Sequence, residues 1–268
     1  MFKSKWQYVS TLVILTLVGL FFGSTPPAAY AATCTSIAIG NWSDTATWDC
    51  GVVPGANDDV VIATGHSVFV FANATAANVT INGTMGILMP VTLDVSGNWT
   101  NNGTFMAGPN TVNFNGTGAQ TIGGTSTTIF NTMNISNGGR TVTFASNVGI
   151  AGAANWAGGS CAALLSLRSS APGTARTITN AAFLTANFVD VQDSNADAVV
   201  TVANGKNSGN NTNWTITTTC PVPVAPKAVG GVAQTIAMPT ASTNGLGYLA
   251  GLAGVVMLVG AGWLVSKR

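Results

Sequence analysis

Between Val60 and Phe144 apolar side chains recur at every second position in short runs, with polar residues between them. Leu93 and Val95 flank Asp94, Val112 and Phe114 flank Asn113, and Val142 and Phe144 flank Thr143. A period of two puts one side of a segment in a core and the other in water, which is the pattern of a half-buried strand. β-Branched and aromatic residues mark Val60–Ile62, Val68–Phe71, Val79–Ile81, Val91–Val95, Val112–Phe114, Ile129–Ile135 and Val142–Phe144 as the predicted strands. Turn signals separate them: Asn82-Gly83, Asn102-Gly103, Asn115-Gly116, Gly123-Gly124, Asn137-Gly138-Gly139 and Asn204-Gly205. No amphipathic helix of normal length is visible between Thr33 and Cys220, so the class is all-β.

Two architectures fit such a string. Asn-Gly between alternating segments is a hairpin signal, and hairpins would build an antiparallel β-sandwich. A parallel β-helix would instead wind short strands through polar turns, each coil stacking on the last. Recurring phrases favour winding: Val79-Thr-Ile-Asn-Gly-Thr84, Ser96-Gly-Asn-Trp-Thr-Asn-Asn-Gly-Thr-Phe105 and Val112-Asn-Phe-Asn-Gly-Thr117. Stacked Asn and Thr side chains would hydrogen-bond along such a column, which accounts for their excess. The stretch from Ala151 to Ala171 departs from the pattern and reads as an inserted or disulfide-held excursion.

At these phrases the chain resembles the secreted, β-helix-like (pectin-lyase-like) cell-surface proteins of bacteria. The residues that carry the likeness are Asn41–Trp48, Val53–Ile62 with Gly65-His66, Gly118–Ile122 and the closing phrase Asn207–Trp214. The resemblance covers most of the body, and its motifs are structural rather than catalytic. It implies an adhesive or scaffold domain displayed outside the cell.

The two ends differ from the body. Lys3 and Lys5 precede an apolar run from Val9 to Phe22, and Ala29-Tyr30-Ala31 offers small residues for cleavage, so residues 1–31 read as a signal peptide. Leu246–Val265 carries no charge and is long enough to cross the roughly 30 Å apolar layer of a bilayer as a helix. Lys267 and Arg268 follow it, which puts residues 266–268 in the cytoplasm and the body outside. Residues 221–245, with Pro221, Pro223, Pro226 and Pro239, form an extended spacer between body and membrane. Met238-Pro239-Thr240-Ala241-Ser242 before the apolar run is a candidate cell-wall sorting motif, departing from Leu-Pro-x-Thr-Gly at its first position and last two.

The body, residues 32–220, is nearly uncharged. The chain has no Glu, and its eight acids are Asp44, Asp49, Asp58, Asp59, Asp94, Asp190, Asp193 and Asp197. Basic residues are too sparse to neutralise a phosphate backbone, which argues against nucleic acid. Four cysteines, Cys34, Cys50, Cys161 and Cys220, lie on the exported side, where an even number favours disulfides. Of the three possible pairings, Cys34–Cys50 and Cys161–Cys220 is the one expected, stapling the beginning and end of the body.

Candidate chemistry is thin. Asp190, Asp193 and Asp197 are the densest acids, and glycan cleavage would need such carboxylates to converge. Turn formation is the simpler role for them, as it is for Asn57-Asp58-Asp59. His66, the one histidine, has no acid partner in sequence. Trp42, Trp48 and Trp99, with Trp156 and Trp214, are candidates for stacking on sugar rings or, more simply, for plugging the corners of a β fold. No catalytic residue, metal or cofactor is expected. The expected partners are the membrane and, outside it, cell-wall or environmental glycans or other surface proteins.

Overall fold

The computed structural model describes residues 31–180 and 183–220. The expected signal peptide (but for Ala31), the spacer, the membrane segment and the Met238–Ser242 motif lie outside these residues. Among the described residues twenty strands follow one another, with a short 3₁₀ turn at Thr45–Thr47.

All the ladders between the named strands are parallel, and the chain winds as a parallel β-solenoid of about eight turns. Each full coil presents three faces. The first face stacks β1 (Thr33–Thr35), β3 (Asp59–Ile62), β6 (Val79–Ile81), β9 (Trp99–Asn101), β12 (Gln120–Gly123), β14 (Thr141–Phe144) and β16 (Leu165–Ser169). The second begins with β2 (Gly40–Asn41), β4 (Ser67–Phe69), β7 (Thr84–Ile87) and β10 (Thr104–Ala107). The third stacks β5 (Ala74–Ala76), β8 (Thr92–Val95) and β11 (Thr111–Phe114). In later coils the corners flatten, so that β13 (Thr128–Ile135) and β15 (Val148–Ala157) run through two faces. After β17 (Arg176–Thr179) and β18 (Leu184–Asn187), β19 (Val189–Ala203) and β20 (Lys206–Ile216) each run round a whole coil.

The antiparallel sandwich is therefore excluded, and the Asn-Gly signals have another cause. They mark corners where one coil rests on the next. A Cβ on Gly103 would collide with the carbonyl of Gly83, and one on Gly116 with the carbonyl of Ser96. Glycine is needed there because backbones touch, not because a hairpin turn demands positive φ. The supposed excursion from Ala151 to Ala171 is also smaller than expected. Residues up to Ala157 belong to β15 and those from Leu165 to Ser169 to β16, leaving a short loop with Cys161 in it.

Inward positions fill the coil with one apolar column. Val60, Ile62, Val79, Ile81, Leu93, Val95, Val112, Ile122 and Met133 are essentially inaccessible to water. The alternation read from sequence appears directly, as in the buried and half-buried residues of β3, β8, β11 and β14. Burial of this kind supplies about 1.5–3 kcal/mol per large aliphatic side chain before chain entropy is set against it.

Outward positions carry amide ladders. On the third face Asp94, Asn113, Asn134 and Asn155 lie in register on successive coils. Asn113 Nδ2 donates to Asp94 Oδ1 at 2.7 Å, and Asn134 Nδ2 to Asn113 Oδ1 at 2.9 Å. A second ladder runs along a corner. Asn78 Nδ2 donates to Asp59 Oδ1 at 2.6 Å, the backbone N–H of Asn98 to Asn78 Oδ1 at 2.6 Å, and that of Thr121 to Asn98 Oδ1 at 2.7 Å. A third joins Asn102 Nδ2 to Asn82 Oδ1 at 3.0 Å. Each rung satisfies the next, which explains why a nearly uncharged surface is so rich in Asn and Thr.

Candidate functional site

The tryptophans turn inward. Trp42, Trp48, Trp99, Trp156 and Trp214 are all buried. Trp42 and Trp48 meet edge to face at 5.3 Å, and Trp48 Nε1 donates to the carbonyl of Trp42 at 2.8 Å, closing the apolar interior beside the first coils. Trp99 sits among Phe105, Phe114 and Phe130 with ring centres 5.0–6.2 Å away, and its Nε1 donates to Thr128 Oγ1 at 3.1 Å. Trp48 and Trp99 present almost no surface to solvent, and Trp42 only an edge at the cleft described below. In the structure these indoles pack the core, where their large apolar rings are buried.

The acids of the last coils stay apart in role. Asp190 is buried at the surface of the first face, accepting from Arg168 Nη2 at 2.6 Å and from Ser208 Oγ at 2.6 Å, with Lys206 Nζ at 3.8 Å. Asp193 has a left-handed backbone (φ 58°) and accepts from Gly173 N at 3.1 Å and Asn210 Nδ2 at 2.6 Å. Asp197 Oδ2 accepts from Asn180 N at 2.6 Å. Each carboxylate ties one coil to a neighbour. Asp58 and Asp59 act similarly: Asp58 accepts from Ala32 N and Gly55 N, at 3.0 and 2.8 Å. His66 Nδ1 lies 3.0 Å from Ser36 Oγ and 2.9 Å from Ser36 O, while Ser36 Oγ accepts from Ala63 N. That is a corner clasp between two coils.

Sequence reasoning missed Arg140. Only 6% exposed, it has no carboxylate partner among the described residues and is held by oxygens alone. Nη2 donates to Phe114 O at 2.8 Å and Ser136 O at 2.7 Å, Nε to Ser136 O and Asn137 O at 2.9 and 3.0 Å, and Nη1 to Gln120 Oε1. Gln120 in turn donates from Nε2 to Val95 O and Gly97 O. Burial draws the Arg140 pKa below its usual value. The pair forms a polar pin through one corner of three successive coils. An isolated arginine at Asn-Gly-Gly-Arg carries no sequence signal for this.

The two bridges join Cys34 to Cys50, 16 residues apart, and Cys161 to Cys220, 59 apart. They suit an oxidising, extracellular-type compartment. Among the described residues no three His, Cys, Asp or Glu side chains cluster to hold a metal.

A shallow cleft lies at the corner between the second and third faces of the early coils. It measures about 130 Å³ and is lined by Trp42, Ser43, Val53, Pro54, Phe71 and the segment from Ala72 to Thr75. Phe71 is 52% exposed, and its ring lies nearly parallel (19°) to that of Phe69, 6.2 Å away. Phe69 in turn lies over Gly86, whose missing side chain makes room for the ring between coils.

No protein-family model, curated protein or solved structure matches the chain. The parallel β-solenoid of about eight turns is thus what the likeness to β-helix surface proteins comes to in the structure.

Proposed function

We propose that the chain is a cell-surface protein whose β-solenoid body has a structural or adhesive role, held at the plasma membrane or cell wall by its C-terminal segment. The observation that carries this reading is the stack itself. About eight coils at a spacing of ~4.8 Å make a column roughly 40 Å long, with laddered faces rather than one converging set of polar groups. Two disulfides at the two ends of that column support export. The apolar run Leu246–Val265 followed by Lys267 and Arg268 supports anchoring.

The test uses the full chain expressed in a bacterial host. Antibody against the body is expected to label intact cells, and removal of residues 246–268 to release the body into the medium with its thiols oxidised. Cells displaying the chain are expected to gain attachment to surfaces or to one another. A body found inside the cell with four free thiols would overturn the reading.

A further inference from the structure

We propose that the cleft beside Phe71 binds one neutral pyranose ring of a glycan, which rests on the reading of the body as an outward-facing adhesive surface. A sugar presents an apolar face of C–H groups edged by hydroxyls, and recognition needs an exposed aromatic face beside uncharged donors and acceptors. Phe71 supplies the first. The residue is 52% exposed, and its ring lies nearly parallel to that of Phe69, 6.2 Å away. What sets Phe71 apart from other exposed apolar side chains is that it lines a concave site together with convergent polar groups, the usual makeup of a ligand pocket.

The rest of the lining fits the second requirement. Ser43, Asn73 and Thr75 line the same cleft. Asn73 Oδ1 accepts from Thr92 N at 2.9 Å, which fixes the amide and leaves Nδ2 turned to donate. Among the described residues no other protein group engages Asn73 Nδ2, Ser43 Oγ or Thr75 Oγ1. Trp42 lines the cleft too, and its Nε1 is buried with no acceptor in the protein. No charged side chain lines the cleft, so a uronic acid or sialic acid would find no counter-ion there. Its volume, about 130 Å³, is well below the roughly 300–1,000 Å³ of pockets that enclose a whole drug-sized ligand. It therefore seats one ring of a chain that continues into solvent along the column.

The buried tryptophans are not part of this site's stacking surface. Phe71 replaces them in that role. Val53 (40% exposed) and Pro54 add apolar surface to the lining.

The experiment is affinity electrophoresis of the detergent-solubilised full chain through gels containing a neutral glycan (hydroxyethyl cellulose, xyloglucan or laminarin) or the acidic glycan alginate. Wild-type protein is expected to be retarded by at least one neutral glycan and not by alginate. Phe71→Ala is expected to lower the affinity at least tenfold, Phe71→Trp to retain it, and Asn73→Ala to lower it severalfold. Thermal midpoints and intact-cell labelling of the same variants serve as the control for folding and display. Retardation of Phe71→Ala equal to wild type, retardation by alginate alone, or none by any neutral glycan would each overturn the site. Those results would leave surface labelling untouched, whereas a body that is not displayed would sink the broader reading instead.

Discussion

Replacing Arg140 by Met removes the guanidinium while keeping an unbranched stem of similar length. The acceptors Ser136 O, Asn137 O and the buried Gln120 Oε1 then lose the donors that satisfied them, while Phe114 O keeps the backbone N–H of Ser136. Leaving a buried polar group without a partner costs about 1–3 kcal/mol. Removing the charge itself returns part of this, since an unpaired cation in the interior carries its own desolvation penalty. The net loss expected is about 3 kcal/mol, concentrated in the coils that contain Phe114, Gln120 and Ser136. Urea denaturation followed by tryptophan fluorescence reads the loss, because Trp99 and Trp156 sit in neighbouring coils. Hydrogen exchange should show faster exchange at the amides of β12 and β14 than at those of β3 and β6. Arg140→Lys should fall between, since an ammonium cannot span from Gln120 to the carbonyls of Ser136 and Asn137 at once. A midpoint for Arg140→Met equal to wild type would refute the idea that the buried cation pins the corner.

Other expectations test separate parts of the fold. Cys161→Ser with Cys220→Ser opens a loop of 59 residues and should cost about 4 kcal/mol on the chain-entropy estimate, with hydrogen exchange rising first in β20 because a solenoid frays from its ends. Gly103→Ala should cost about 1–3 kcal/mol in the same urea assay, because its Cβ meets the carbonyl of Gly83 in the coil beneath. Asn113→Asp replaces the amide that donates to Asp94 with a second carboxylate and should destabilise by about 1 kcal/mol at neutral pH, an effect that added salt weakens. An unchanged urea midpoint in either single variant would remove the corner contact or the ladder from the account of stability.

Much of the first half was legible before the structure. The alternation around Asp94, Asn113 and Thr143 located β8, β11 and β14, since a period of two survives any change of neighbours. Strands such as β7, β10 and β15 escaped notice. Met85 and Gly86, or the run Ala151–Ala154, have no strand-like composition of their own and are extended because the coils beneath them are. The Phe71 cleft was equally hidden, for it brings Ser43 and Val53 beside Phe71 and Thr75 across a change of coil.

By itself, the sequence determined what is local: which short segments are extended and which side of each is apolar. Tertiary structure decided how those segments meet. Asn-Gly serves a hairpin or a stacked corner equally well, and only the contact of one coil's backbone with the next selects parallel winding. That same stacking drew the tryptophans into the core and left Phe71 outside. Burial depends on which coil lies above a side chain, and no window of neighbouring residues contains that information.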